Sequence, residues 1–285
     1  MANLKEIRNR ITSVSSTMQI TSAMKMVSAA KLKKAQDAIT AMRPYAEKLT
    51  ELLQNLSSTL DGDTGGEYTK QREINKVLVV AITSNRGLCG AFNTNVIKQS
   101  KAIAESYEGK QVDIFAIGKK GNDILRKTYT VVENRSDIFD NLTFDNVAQI
   151  AQTLTDKFIS GDYDRIEIVY NEFKNIATQV LCTEQFLPLQ EGAQDDVNAN
   201  NDYIFQPDQE TLVSEIIPKS LKIQLYKAIL ESNASEHGAR MTAMDKATDN
   251  ADDILRDLKL MYNQTRQAAI TNEILEIVGG AEALG

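Results

Sequence analysis

The chain has 285 residues, of which 25% are charged and 42% are apolar, values typical of a folded globular protein with one large or two modest domains. Its net charge of -7 and its pI near 5.0 argue against a nucleic-acid-binding role for the whole chain, because phosphate binding requires a basic surface. Its longest apolar runs are far shorter than the ~20 residues of a membrane-spanning helix, so any membrane association is expected to be indirect.

Charge is unevenly distributed along the chain. Residues 1–48 hold nine basic and three acidic side chains, whereas residues 175–218 hold eight acidic and no basic side chains. The two regions are therefore expected to face different neighbours. The two cysteines, Cys89 and Cys182, lack metal-ligand spacing, and the chain starts without a signal peptide, so we expect a cytoplasmic protein with two free thiols.

Residues 1–60 carry a seven-residue apolar repeat. Two sets of positions recur, and thirteen of their sixteen members are apolar. The sets are Leu4, Ile11, Met18, Lys25, Leu32, Ile39, Ala46, Leu53 and Ile7, Val14, Thr21, Ser28, Ala35, Met42, Leu49, Leu56. A period of 3.5 residues keeps this seam on one side only if the helix winds left-handed around a partner. The repeat therefore predicts a coiled-coil helix, which we expect to continue through Pro44.

The middle of the chain has the pattern of an α/β domain. Residues 61–75 are polar and glycine-rich, as in a linker, and short apolar strands then alternate with helices over residues 76–207. This alternation predicts a mainly parallel, Rossmann-like sheet. Strands are predicted at 77–83, 112–117, 129–133, 165–173 and 178–187, and helices at 93–107, 119–127 and 144–159. The last two strands are expected to form a hairpin, and Thr143 to cap the last helix.

Residues 208–285 return to a helical pattern. Apolar side chains recur at spacings of three and four residues, at Met244, Ala247, Ala251, Ile254, Leu258 and Met261. This spacing predicts a second coiled-coil helix, so the two ends of the chain are expected to form one long helical shaft. From Ile270 to Leu284 the apolar residues cover more than one helical face, which indicates a surface that needs a surrounding sleeve.

No motif in the chain points to catalysis or to a cofactor. The loop SNRGLCG at 84–90 follows the first strand but lacks both phosphate-binding glycine patterns, so it is interpreted as a tight turn in which Arg86 makes a local or subunit contact. Cys89 is interpreted as a buried structural thiol. His237 is the only histidine and has no metal-ligand spacing. The carboxylates of residues 245–257 alternate with basic residues, as on a solvated helix face.

Three polar residues interrupt the first seam, namely Thr21, Lys25 and Ser28. One interpretation is a register device, because a polar seam residue commonly fixes coiled-coil pairing. The other is an outward contact with a third body. Composition alone leaves the two interpretations equal.

Four separated segments resemble the gamma subunit family of F-type ATP synthases. They are TSAMKMVSAAKL at 21–32, SNRGLCG at 84–90, ARMTAMDKATDN at 239–250 and YNQTRQAAIT at 262–271. The resemblance implies an antiparallel coiled coil that turns as a rotor shaft inside a hexamer of alpha and beta subunits. Catalysis then belongs to beta, and this chain is expected to be a non-catalytic subunit that couples proton flow to ATP synthesis.

The resemblance also implies partner contacts. Met24 and Lys25 are similar to residues near an acidic lever loop of beta, which favours the outward interpretation of the polar seam. Arg266 and Gln267 are similar to residues that form a catch toward another beta loop.

The α/β domain is implied to stand at the foot of the shaft, beside the epsilon subunit and the membrane ring of c subunits. Asp202, Tyr203 and Asp208 are implied to face these two partners. The chain lacks a chloroplast-type cysteine pair and a mitochondrial transit peptide, so the resemblance favours a bacterial enzyme on the cytoplasmic face of the plasma membrane.

Two other classes of function are weighed against the rotor. One is a nucleotide-dependent α/β enzyme with a helical dimerisation arm, which would bind ATP or ADP as an isolated chain. The other is a static coiled-coil scaffold, which would never exchange neighbours during ATP hydrolysis.

Overall fold

The computed structural model describes residues 4–59, 66–189 and 209–282. The chain forms two compact units, a helical unit made of Met1–Ala29 and Arg240–Gly285, and a sheet unit made of Ala30–Ala239. The elements are α1 Leu4–Thr59, β1 Lys76–Ile82, α2 Phe92–Ser106, β2 Gln111–Ile117, α3 Lys119–Leu125, β3 Val131–Asn134, α4 Phe144–Ile159, β4 Arg165–Phe173, β5 Gln179–Leu187 and α5 Gln209–Glu282. Helices α1 and α5 contribute residues to both units.

The sheet unit contains one five-stranded sheet with the order β3-β2-β1-β4-β5. The first four strands are parallel, and β5 pairs antiparallel with β4 as the predicted hairpin. Alternate residues of β1 face opposite layers. Val77, Val79 and Ala81 pack with residues of α2 and α3, whereas Leu78 and Val80 pack with α4 and α5. The mainly parallel α/β fold is therefore confirmed, and helices cover both faces of the sheet.

Predicted element boundaries differ from the structure by one or two residues. Strand β3 begins at Val131, two residues later than predicted, and α3 ends at Leu125, two residues earlier. The helix stops because the N–H group of Lys127 bonds to the carbonyl of Ile124, the tighter spacing of a turn. The Thr143 cap is confirmed, since its Oγ1 accepts a bond from the N–H group of Asn146 at 3.4 Å.

Close approach of β1 and β2 at their carboxyl ends requires glycine. Gly118 has a φ of 109°, and a Cβ built on it would lie 2.1 Å from the carbonyl oxygen of Thr83. Gly121 is crowded by the same residue, because its Cβ would lie 2.7 Å from Thr83 Oγ1. Both glycines let the loop after β1 sit directly against the start of α3.

The predicted seam of α1 is confirmed position by position. All fourteen seam positions whose side chains the structure describes are buried or half-buried. In the sheet unit, Ala46 and Leu49 pack against Ile223 of α5. Helix α1 also runs through Pro44, as expected.

Candidate partner-binding site

Polar contacts show that α1 and α5 pair antiparallel within the helical unit. As residue number rises along α1, the partner number falls along α5. The pairs are Arg8 with Tyr262 at 2.8 Å, Thr21 with Thr248 at 2.8 Å, and Lys25 with Asp245. The Arg8 guanidinium also lies over the Tyr262 ring, with its Cζ atom 5.7 Å from the centroid.

The seam of α5 differs from the one predicted. Ile254 and Met261 are each 49% exposed, so their assignment to the seam is wrong. The buried and half-buried positions that recur at spacings of four and three are Met244, Thr248, Ala251, Leu255, Leu258, Tyr262 and Thr265. A pattern based on apolar residues alone missed this seam because threonine and tyrosine occupy three of its positions.

The polar residues of the α1 seam face the other helix of the pair. Thr21 is 9% exposed and Ser28 is 3% exposed, and Ser28 Oγ donates to the carbonyl of Met24 at 2.8 Å. Lys25 Nζ donates to Asp245 Oδ1, so Asp245 does not belong to a purely solvated helix face as predicted. This placement supports the register interpretation, and a contact between Lys25 and a third body stays a prediction.

We expect a small coupling energy between Lys25 and Asp245. Their side chains are 42% and 48% exposed, and a solvated ion pair contributes about 0–1 kcal/mol to the free energy of unfolding. The double-mutant cycle of Lys25→Ala and Asp245→Ala, followed by urea unfolding, should give this range and a smaller value in 1 M salt. A coupling energy that salt does not change would contradict a solvated pair.

Apolar side chains on the outer side of α1 are exposed. Ile20 is 60% exposed, Met26 is 65% exposed and Val27 is 58% exposed, while Met24 is half-buried. These residues lie within one segment beside the polar seam positions. Exposed apolar residues clustered in this way are typical of a protein-binding surface.

The final turns of α5 are exposed on all sides. Because Arg8 is level with Tyr262, α5 continues past the start of α1 soon after Tyr262. Every residue from 266 to 281 is exposed, including Arg266 and Gln267. The large apolar members of this bare end are Ile270, Ile274, Leu275, Ile277 and Val278, at 48% to 67% exposure.

The loop after β1 is held by hydrogen bonds to Asn93, in the first turn of α2. The N–H group of Ser84 donates to Asn93 Oδ1 at 2.9 Å, and Asn93 Nδ2 donates to Cys89 Sγ at 3.2 Å. Cys89 is 1% exposed, as expected of a structural thiol, whereas Arg86 is exposed at the surface. This geometry agrees with the predicted structural turn.

Other predicted features lie outside these surfaces. Asp202, Tyr203 and Asp208 fall outside the described residues. In the described ranges, histidine, cysteine and carboxylate side chains form no group of three or more that could hold a metal ion. No described helix is long and apolar enough to span a membrane.

The two long terminal helices and the sheet inserted between them in sequence define a class of coiled-coil protein with an α/β insertion. The family model described as ATP synthase matches residues 3–284. The ATP synthase gamma chain of Flavobacterium psychrophilum is 76% identical over 284 residues, covering 100% of this chain and 99% of the relative. That of Flavobacterium johnsoniae is 72% identical with the same coverage. The chain therefore belongs to the ATP synthase gamma chain family.

Solved structures share the fold. A chain of the Euglena gracilis mitochondrial ATP synthase, from a structure described as OSCP/F1/c-ring in rotational state 3, aligns with a TM-score of 0.71 and 23% identity. The alignment covers 99% of this chain and 94% of that chain. A second Euglena gracilis chain, from a structure described as the rotor in rotational state 1, aligns with a TM-score of 0.68 and 23% identity over 94% of this chain and 98% of that chain.

Proposed function

We propose that this chain is the central-stalk rotor of a bacterial F-type ATP synthase. It couples proton flow through the membrane ring to ATP synthesis, or runs in reverse with ATP hydrolysis, by rotating inside the hexamer of alpha and beta subunits. The bare apolar end of α5, residues 266–281, carries the proposal. A helix end that is exposed on every side and apolar on more than one face needs a surrounding protein surface, and a hexamer with a central opening supplies one.

An antiparallel helix pair can act as an asymmetric cam. One pair cannot present the same face to three surrounding catalytic sites, so each site meets different contacts and takes a different affinity for nucleotide. Rotation then permutes the three states. Switching one site from 1:99 to 99:1 requires about 5.5 kcal/mol of differential interaction. A single exposed ion pair contributes only ~0–1 kcal/mol, so the coupling is distributed over many contacts.

The partner contacts are part of the same proposal. Met24, Lys25, Arg266 and Gln267 face loops of beta, and Arg86 makes a local or subunit contact. Two of these four side chains, Arg266 and Gln267, are fully accessible to a partner, and Met24 is half-buried. Lys25 would share its ammonium group between Asp245 and beta.

A third set of predicted contacts would lie near the membrane. Asp202, Tyr203 and Asp208 would face the c ring and epsilon, at the cytoplasmic face of the plasma membrane. In this arrangement residues 1–60 and 208–285 supply the shaft, 61–75 a linker and 76–207 the α/β domain. The chain itself would be non-catalytic, because the catalytic sites belong to beta.

Small losses of activity are expected from single contact variants. Lys25→Ala or Arg266→Ala should slow ATP turnover of the reconstituted complex without abolishing assembly, because each removes one of many contacts. Turnover and subunit content of the purified complexes measure this. Complete loss of rotation from Lys25→Ala in an assembled complex would refute distributed coupling.

Rotation itself tests the proposed function. The chain is mixed with alpha and beta subunits, and a bead is followed during ATP hydrolysis. Glu108→Cys provides an exposed attachment point on the turn after α2. The native thiols suit labelling less well, because Cys89 is buried and burial, together with Glu172, raises the pKa of Cys182 to about 11. Stepwise rotation is expected, and a bead that stays fixed during hydrolysis would favour the static scaffold.

Calorimetry distinguishes the enzyme alternative. The loop after β1 bonds to Asn93 of α2 and lacks the phosphate-binding glycine patterns, so the isolated chain is expected to bind neither ATP nor ADP. Stoichiometric binding of either nucleotide would favour the α/β enzyme.

A further inference from the structure

One buried carboxylate in the sheet unit joins three elements. The side chain of Glu231, on α5, is 1% exposed, and its two oxygens accept bonds from different parts of the chain. Oε1 accepts from Arg43 Nη2 of α1 at 3.3 Å. Oε2 accepts from the backbone N–H group of Phe173, the last residue of β4, at 3.1 Å. We call Arg43, Glu231 and the Phe173 N–H group the clasp.

The helix that carries Glu231 lies directly against the β4–β5 hairpin. A Cβ built on Gly238, two turns further along α5, would lie 3.3 Å from Phe173 Cε2 and 3.9 Å from the Cα atom of Ile176. Glycine therefore lets α5 pass close to the hairpin, and this approach brings the Glu231 carboxylate to the end of β4.

Apolar packing also joins these elements, but its energy depends little on their exact orientation. Leu225 and Ile229 of α5 belong to the core beneath the sheet, and Ala46 and Leu49 of α1 pack on Ile223. Hydrophobic burial is non-directional, so it defines the exact alignment of two surfaces less sharply than a hydrogen bond does. Hydrogen bonds to a charged carboxylate are short-ranged and directional.

Burying a carboxylate costs free energy unless its oxygens are paired. Even a paired carboxylate is weak evidence for added stability, because the cost of removing it from water can cancel the gain from pairing. Retained pairing of both oxygens points instead to a role in holding one particular arrangement. The clasp is a charge-assisted contact that connects α1 to β4 through α5.

We propose that Glu231 is a positioning residue that holds α1, α5 and β4 in one arrangement. The joint between the sheet and both shaft helices is then torsionally stiff when it transmits torque. The inference rests on the rotor function proposed above. Losing the clasp should soften the torsional joint rather than stop rotation, because the apolar contacts remain.

The test measures torsional stiffness in assembled complexes. A bead on Glu108→Cys is followed in complexes paused by nucleotide, where a softer joint gives a wider angular distribution. Arg43→Met removes the half-exposed partner and should increase the angular variance. Glu231→Gln keeps an acceptor for the Phe173 N–H group but loses the charge, and should do the same. The double variant should add nothing further, because both changes break one contact.

The matched control is Lys33→Met. Lys33 also lies on α1 and forms an ion pair, but its partner Asp37 belongs to the same helix. The complex that carries Lys33→Met should have the same angular variance as the complex with the unchanged chain.

Equal angular variance in Arg43→Met, Glu231→Gln and the unchanged chain would overturn the inference. Lower assembly yield with unchanged variance would also overturn it, by assigning the clasp a purely structural role. If the unchanged complex fails to rotate, the proposed function fails. Hydrogen exchange then still tests the clasp, since in the full-length isolated chain Glu231→Ala should speed exchange of the Phe173 amide. Unchanged exchange there would exclude the bond.

Discussion

Gly118→Ala is expected to lower the free energy of unfolding of the sheet unit by roughly 2–6 kcal/mol, because it adds backbone strain to a steric clash. Gly118 has a φ of 109°, a region that residues with a Cβ rarely adopt. The added Cβ would also lie 2.1 Å from the Thr83 carbonyl oxygen, which is fixed backbone at the end of β1. Relief of the clash requires β1 and α3 to move apart.

Two further glycines separate these effects. Gly109 has a φ of 78° but nothing within 4 Å of its Cβ position, so Gly109→Ala measures strain alone. Gly121 has crowding from the Thr83 side chain without a positive φ, so Gly121→Ala measures the clash alone. Urea unfolding followed by near-UV circular dichroism of the tyrosines reports on the sheet unit. If Gly118→Ala destabilises no more than Gly109→Ala, the close approach of Gly118 to Thr83 is incorrect.

Phe158→Ala is expected to lower the free energy of unfolding by about 3–5 kcal/mol, the range for removing a large side chain from a packed core. Phe158 of α4 is fully buried among residues of the sheet and α5. The Arg72 guanidinium lies 5.2 Å from its ring centroid and donates to its carbonyl oxygen at 3.0 Å. Deleting the ring therefore leaves a cavity and removes the partner of a cation–π contact.

The same helix supplies the control. Phe144, at the first turn of α4, is 37% exposed and touches Tyr226 edge-on, with 5.6 Å between the ring centroids. Phe144→Ala should destabilise by about 1 kcal/mol, since it loses one aromatic pair without opening a cavity. Similar losses from both variants would show that α4 does not pack on the sheet through Phe158.

Comparison of the two seams shows where pattern reading succeeds. The α1 seam was predictable because thirteen of its sixteen positions are apolar. The α5 seam was not, because Thr248 and Tyr262 occupy seam positions while Ile254 and Met261 point outward. In a coiled coil that must also present an apolar outer surface, residue type no longer tells the inner side from the outer side.

The residues predicted to contact partners show a similar limit. Arg266 and Gln267 were identified by resemblance. They are exposed because α5 continues past the start of α1. Asp245 was taken for one acid among several on a solvated face, although it pairs with Lys25. No sequence signal marks it, since its contact depends on the register between two helices more than two hundred residues apart.

The sequence by itself determined that the chain ends are long helices, that a mainly parallel sheet lies between them in sequence, and that the last turns are apolar on more than one face. These features follow from local periodicity, which reports how each segment buries its apolar side chains. Only the tertiary structure decided that the polar seam residues face inward and that Glu231 joins α1 to β4. Such contacts depend on the register and distance between separate elements. The sequence does not show which charged residue will have a partner within hydrogen-bonding distance after folding.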